Sequence, residues 1–549
     1  MKKTILYMGT VLLMLTVSCS DDFLERPPLD DVSEETFWKT EEDLYKAVNG
    51  VYSQLPAEGF IYDDGASDNA HAQYPWESTA TVVSAGSIIT ADDAGWNYED
   101  KRRCNYFLEN ADAVENADPD LLNRYKAEVR FIRAYSYFRM MCKFGDIPLV
   151  TSTLDIEDVN IPRTPRAEVL DFIITELEDI SEMLPVTYAG GKPDEKGRIT
   201  RGAALALKAR VHLYEGQWEA AVDAAEKVMN LGIYELFKID SESESDLKDN
   251  YDEWVDFDGE EDRNNFRLGL RSYEALFHEE YEGNSEVILD RQRIAQIDDN
   301  FLNTYLPPGS IGGWSSVTPT QELVNSYESY KTGEPAELPS AEQRATWYDN
   351  DNPEFREEFR NRDPRLYATI MFPGSPWNAI EDDFTFEWIQ GASNMSQTGY
   401  NFRKLVDPKI YRENIGNYTN VILLRYAEVL LTYAEARNER SGPDATIYDA
   451  LDDIRQRSGM PPVDRNLYNT REKLREFIRN ERRVELALEG HRYMDIRRWQ
   501  IAPQVMKDIK NLRNTVAQDR VWDDKLYLMP VPQSQRDLSD NLLEQNPGY

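Results

Sequence analysis

Long apolar runs are the first thing this chain lacks. Beyond residue 18 no stretch approaches the roughly 18 consecutive apolar residues a membrane helix requires, so the body is expected to be soluble and tethered only at its start. Cysteine is scarce, with 3 in 549 residues: Cys19, Cys104 and Cys142. Two of these lie in helix-like segments and are read as buried free thiols, with a bridge between them left open, because such a number cannot form a disulfide framework. Positive charge is also short. Lys and Arg total 61 against 100 Asp and Glu, a formal charge of -39 that repels phosphate backbones and argues against nucleic acid as a partner. The 4 histidines, His71, His212, His278 and His491, stand alone, with no HExxH or other metal-ligand spacing. No GxSxG elbow or phosphate loop is present. A glycosidase needs two carboxylates about 5 to 10 Å apart, and so acidic a chain does not exclude such a pair, although no motif marks one.

What is present begins at the N-terminus. Lys2 and Lys3 precede an uncharged, largely apolar run from Ile5 to Val17, and Ser18-Cys19-Ser20-Asp21-Asp22 follows. The run is too short to span a bilayer and has the layout of a secretory signal, residues 1–18. Leu15-Thr16-Val17-Ser18 before Cys19 resembles a lipobox, in which the cysteine thiol is acylated and becomes the mature N-terminus. An ordinary signal peptide that contains a cysteine is the competing reading. Residues 19–28 would then be a lipidated tether, and Ser20-Asp21-Asp22 resembles the acidic export signal of surface lipoproteins. Residues 29–549 are read as a single domain.

Helical periodicity dominates that domain. Ser33-Glu34-Glu35-Thr36 opens an amphipathic segment to about Leu55, and further helices are expected over 96–108, 121–144 and 166–184. The clearest pair follows. Ala204, Leu207, Val211 and Tyr214 are spaced 3, 4 and 3 apart, as are Trp218, Ala221, Ala225 and Val228, with Gly216-Gln217 as the turn, Thr200 as a cap and Gly232 at the end. This is a hairpin of tetratricopeptide type. Similar hairpins can be drawn at Phe131 with Val169, Leu424 with Leu451 and Phe477 with Met494. They are scattered along the chain, which predicts a helical scaffold with insertions. Residues 59–93 read as a long structured loop, and about 237–420 as an irregular insertion forming a second face.

Two charged segments invite chemistry. Glu481, Arg482, Glu485, Glu489 and Arg492 recur at helical intervals, and ion networks buried between helices are the expected use of them. The same holds for Arg425 with Glu428 and Glu435, and for Arg362, Asp363 and Arg365. In the acidic stretch 240–262, Asp256, Asp258, Glu260 and Asp262 offer calcium ligands in principle, but Gly259 falls at the fourth position rather than the sixth of an EF-hand loop. A solvated acidic loop and no cofactor are expected, with calcium left open.

Several segments together resemble the SusD/RagB family of outer-membrane nutrient-binding lipoproteins. They include Ala127-Glu128-Val129-Arg130-Phe131-Ile132-Arg133-Ala134, Phe144-Gly145-Asp146-Ile147-Pro148-Leu149, Gly312-Gly313-Trp314, Asn361-Arg362-Asp363-Pro364-Arg365-Leu366 and Leu424-Arg425-Tyr426-Ala427-Glu428. The terminal signatures are Glu489-Gly490-His491-Arg492-Tyr493-Met494-Asp495-Ile496-Arg497-Arg498-Trp499 and Gln545-Asn546-Pro547-Gly548-Tyr549. The resemblance implies a mainly α fold with four tetratricopeptide-like hairpins and a loop-rich ligand-binding face. It also implies a glycan-binding lipoprotein of the outer membrane, exposed at the cell surface, that delivers oligosaccharide or polysaccharide to a SusC-like TonB-dependent transporter, with no catalysis of its own. A surface glycoside hydrolase, a peptide receptor and a structural lid are the alternatives.

Sugar rings present apolar C–H faces that pack on aromatic side chains, while amides, carboxylates and guanidinium groups satisfy the hydroxyls. Trp314 is the first candidate, because flanking glycines allow close approach and leave the indole uncovered, and because starch-binding relatives are similar in placing a stacking tryptophan after glycine. Core packing is its competing role. Trp76 is the second, with Tyr74 beside it and Asp68 and Asn69 earlier in the same loop. Trp377 and Trp388 are weaker candidates, and Trp96, Trp218 and Trp499 are expected in the core.

Overall fold

The structure, a computed structural model, describes residues 37–155, 160–188, 195–244, 246–249, 251–539 and 542–549. Cys19, the signal and tether, and the expected opening at Ser33 to Thr36 lie outside these residues. The first described long helix, Glu41–Tyr52, starts at a capping box: Thr40 accepts from the Asp43 N–H while the Asp43 carboxylate accepts from the Thr40 N–H. Leu44, Val48 and Val51 form its buried stripe.

The helical scaffold follows the periodicity closely. Helices occupy Glu99–Asn110, Pro119–Phe144 and Arg166–Ser181. The second is capped by Asp118 and stopped at Gly145, whose φ of 75° lies in the left-handed region that favours glycine. The hairpin of Arg201–Tyr214 and Trp218–Met229 is capped by Thr200, and buries Ala204, Leu207 and Val211 with Ala221, Ala225 and Val228. Tyr426–Ser441 and Ala445–Arg457 make another hairpin. Leu424, expected on its first helix, instead lies in the preceding strand Val421–Arg425. Arg471–Glu485 and Arg492–Arg498 are separated by a turn in which Leu488 and Gly490 take positive φ. Cys104 is buried and Cys142 half-buried, and both are free thiols.

The insertion 237–420 is more ordered than its sequence suggests. It contains the 16-residue helix Glu260–Ala275 and builds a second hydrophobic core with Trp254, Phe266, Tyr273, Phe359, Tyr367 and Phe372. Two antiparallel strand pairs tie it to the rest of the chain. Val287–Arg291 pairs with Val421–Arg425, and Ala70–Ala72 with Val317–Pro319.

Buried ion pairs join these parts, as the charge pattern predicts, but with different partners. Arg425 meets Glu286, Glu485 and Glu489 rather than Glu428 or Glu435. Glu428 instead takes Arg210, and Glu435 takes Arg498. Arg365 spans Asp363, Glu481 and Glu485, and Arg457 joins Glu286 to Glu485. Arg362 has no carboxylate partner among the described residues, and gives its N–H groups to the carbonyls of Val324, Tyr327 and Glu358. Removing one member of such a buried set leaves an uncompensated charge, at a cost of about 3 to 5 kcal/mol.

Asp256 and Asp262, candidate calcium ligands, have protein partners. Asp256 accepts from Arg360 and Asn361, and Asp262 from Tyr330 and Lys331. Asp262 also opens the helix Glu260–Ala275, where carboxylates offset the positive end of the dipole.

Candidate functional site

The pairing of Ala70–Ala72 with Val317–Pro319 brings the two sequence-predicted aromatic segments together. Just beyond it the Gln73 N–H donates to the Ser316 carbonyl at 2.8 Å, so the Tyr74-Pro75-Trp76 turn leaves the pair beside Gly313-Trp314-Ser315. Asn394 fastens both: its side-chain oxygen accepts from the Tyr74 hydroxyl at 3.0 Å and its carbonyl from the Ser315 hydroxyl at 2.7 Å.

Trp76 is 74% exposed and Trp314 42%. Trp76 stacks on Tyr74, with centroids 4.8 Å apart and planes at 28°, so the indole is held although most of it faces water. Trp314 packs against Tyr305 at 6.3 Å, and Tyr305 in turn meets Phe301 and Tyr62. Both glycines before Trp314 are required. Gly312 has a φ of 95°, and a Cβ at Gly313 would lie 2.1 Å from the Pro307 carbonyl oxygen. Backbone bonds from Trp314 to Thr304 and from Ser316 to Tyr305, both 2.7 Å, complete the loop.

Asp68 and Asn69 do not join this face. They are 4% and 1% exposed, on the inner side of the strand that separates them from Tyr74. Arg492 holds Asp68 in a two-pronged pair, Arg483 approaches the same carboxylate at 3.1 Å, and Arg483 Nε donates to the Asn69 side-chain oxygen at 2.6 Å. Burial pushes the Asp68 carboxyl up, but Arg483, Arg492 and Arg520 overcome it and hold the group well below the usual carboxylate range. These are anchors of the loop, and the expectation that they contact sugar is corrected. Trp377 and Trp388 are buried as well, the latter donating to the Ser396 carbonyl at 2.7 Å.

Two residues that sequence reasoning passed over belong here. Tyr305 follows Phe301 by one helical turn, a spacing that marks an aromatic pair. Glu77 follows Trp76 directly, and accepts from the Tyr62 hydroxyl at 2.7 Å and from the Ser316 hydroxyl at 3.1 Å. Burial and the Glu77 carboxylate push the Tyr62 phenol well above its usual pKa, so it stays a donor. Tyr62, Glu77 and Tyr305 border a cleft of about 400 Å³.

Fold and site together define the class: a mainly helical scaffold of repeat-type hairpins that presents an aromatic, loop-built face. A family model described as the SusD family matches residues 273–549, and a second, described as "Starch-binding associating with outer membrane", matches residues 22–213. The chain belongs to the SusD family. A SusD-like protein from Bacteroides fragilis is similar in structure, with a TM-score of 0.77 and 30% identity over 95% of this chain and 100% of that one. A SusD-like carbohydrate binding protein of the same organism gives a TM-score of 0.73 and 26% identity, covering 92% and 100%. In sequence, the chain is 25% identical to SusD-like protein P2 of Formosa agariphila over 98% of each.

Proposed function

We propose that this protein is a lipid-anchored glycan-binding subunit at the cell surface, which holds oligosaccharide on Trp314, Trp76 and Tyr74 and delivers it unchanged to a TonB-dependent outer-membrane transporter. The observation that carries the reading is the pair of exposed indoles, each backed by a tyrosine and fixed on adjoining loops. Such surfaces cover the apolar faces of sugar rings with little ordering left to do. The printed descriptions support it from outside the geometry: a starch-binding family model associated with the outer membrane, and a carbohydrate-binding relative.

Calorimetric titration of residues 20–549 with a panel of oligosaccharides, followed by chromatography of the same mixtures, tests the reading. Saturable binding with the ligand recovered intact is expected. Shortened products from a purified sample would replace it with a surface glycoside hydrolase. Co-purification of the full-length protein with a large barrel from detergent-solubilised outer membranes tests the transporter partnership.

A further inference from the structure

The cleft under the aromatic face has its own chemistry. One wall is aromatic: Tyr62 and Tyr305 meet at 5.9 Å, and Tyr305 also packs against Trp314 at 6.3 Å. Tyr305 is therefore shared between the cleft wall and the surface on which Trp314 lies. Its volume of about 400 Å³ falls within the range of small-ligand pockets, roughly 300 to 1,000 Å³.

Its charge is one-sided. Glu58, Asp63, Glu77 and Asp93 line it, with Lys143 as the cation. Glu58 is balanced by Arg293 at 2.7 Å, and Asp63 by Lys143 at 3.4 Å. The partners of the other two are neutral. Glu77 accepts from the Tyr62 and Ser316 hydroxyls, and Asp93 from the N–H groups of Gly95 and Trp96. An incoming carboxylate or sulfate would meet the two negative charges of Glu77 and Asp93, while Lys143, the lining cation, is already paired with Asp63. A hydroxyl has no such difficulty, because Glu77 accepts from O–H groups already and has lone pairs to spare.

Building on the glycan-binding reading, we propose that this cleft is a second subsite, which takes one uncharged sugar unit of a chain lying across Trp314 and excludes uronate and sulfated units. The protein would thus select neutral glycans at the cleft while the aromatic platform supplies contact that is indifferent to charge.

The test uses cellohexaose, laminarihexaose, mannohexaose and maltohexaose, the corresponding disaccharides, and each hexasaccharide after oxidation of its C6 carbons to carboxylates. Variants are Thr79→Trp and Trp314→Ala. Thr79 lines the cleft, which Trp314, Trp76 and Tyr74 do not, and its side chain makes no cap at the start of the helix Ala80–Ser84, so an indole there is placed to fill the recess. For wild type, at least one neutral hexasaccharide is expected to bind about tenfold more tightly than both its disaccharide and its oxidised form. In Thr79→Trp the advantage over the disaccharide should shrink below about threefold, with disaccharide affinity unchanged. A Thr79→Trp variant that keeps the full advantage, or a wild type that binds oxidised and neutral forms alike, overturns the subsite while the platform stands. Failure of every probe to bind, or full hexasaccharide binding by Trp314→Ala, overturns the platform and the subsite with it.

Discussion

Arg492 grips Asp68 through two parallel hydrogen bonds, Nε to Oδ1 at 2.8 Å and Nη2 to Oδ2 at 2.9 Å. The two residues are 424 positions apart, and their pairing ties the loop that leads to Tyr74 and Trp76 to the helix Arg492–Arg498. Asp68→Ala would leave the buried Arg492 and the half-buried Arg483 without their carboxylate. A loss of about 3 to 5 kcal/mol in unfolding free energy is expected by urea denaturation, and a loss below about 1 kcal/mol would contradict the role. Arg492→Lys should also destabilise, because an ammonium does not reproduce the planar fork.

Acid should weaken the same part of the molecule. Burial pushes Glu489 up, but Arg425 and Lys404 bring its pKa down to about 2, and Arg482 and Arg498 do the same for Asp495, also to about 2. The unfolded values are about 4, so the native state binds fewer protons between those limits. The stability these groups contribute is therefore complete above about pH 4 and lost as pH falls through about 2. Melting temperature is expected to drop steeply over that interval. A Glu489→Gln variant should be less stable at neutral pH and show a shallower acid drop; a parallel curve would contradict the assignment.

The scaffold was legible because its period is set by the core itself. Ala204, Leu207 and Val211 recur on one face of a helix and that face is buried, with Thr200 and Gly216 marking its ends. Trp314 was legible for a local reason, since Gly312 and Gly313 announce a backbone that crowds Pro307 and pushes the indole outward. For Asp68 and Asn69, nearness to Tyr74 in sequence is not nearness in space. The strand Ala70–Ala72 intervenes, and their true partners, Arg483 and Arg492, come from the far end of the chain. Partner choice in the ion networks is hidden for the same reason: Arg425 has Glu428 three positions away but meets Glu286, Glu485 and Glu489 across the fold.

Gly313→Ala tests whether the loop backbone positions the indole. The new methyl would press on the carbonyl of Pro307, and backbone atoms must move to admit it. Glycan affinity is expected to fall about tenfold or more, with a loss of global stability of only about 1 to 3 kcal/mol. Unchanged affinity in calorimetry would show that the indole position is not set by this turn.

The proposed lipid anchor rests on Cys19, and Cys19→Ala should move the protein from the membrane pellet to the soluble fraction of fractionated cells. A single lipid chain gives only marginal binding, so loss of the acylation site is expected to release the chain completely. A variant still retained after a carbonate wash would refute the anchor.

The most direct test of the account is affinity electrophoresis of residues 20–549 through gels containing plant, host and microbial polysaccharides, run beside Trp314→Ala and Trp76→Ala. The account predicts selective retardation by at least one polysaccharide, lost in Trp314→Ala and reduced in Trp76→Ala. Retardation that survives both substitutions, or none with any polysaccharide, would contradict glycan binding at this face.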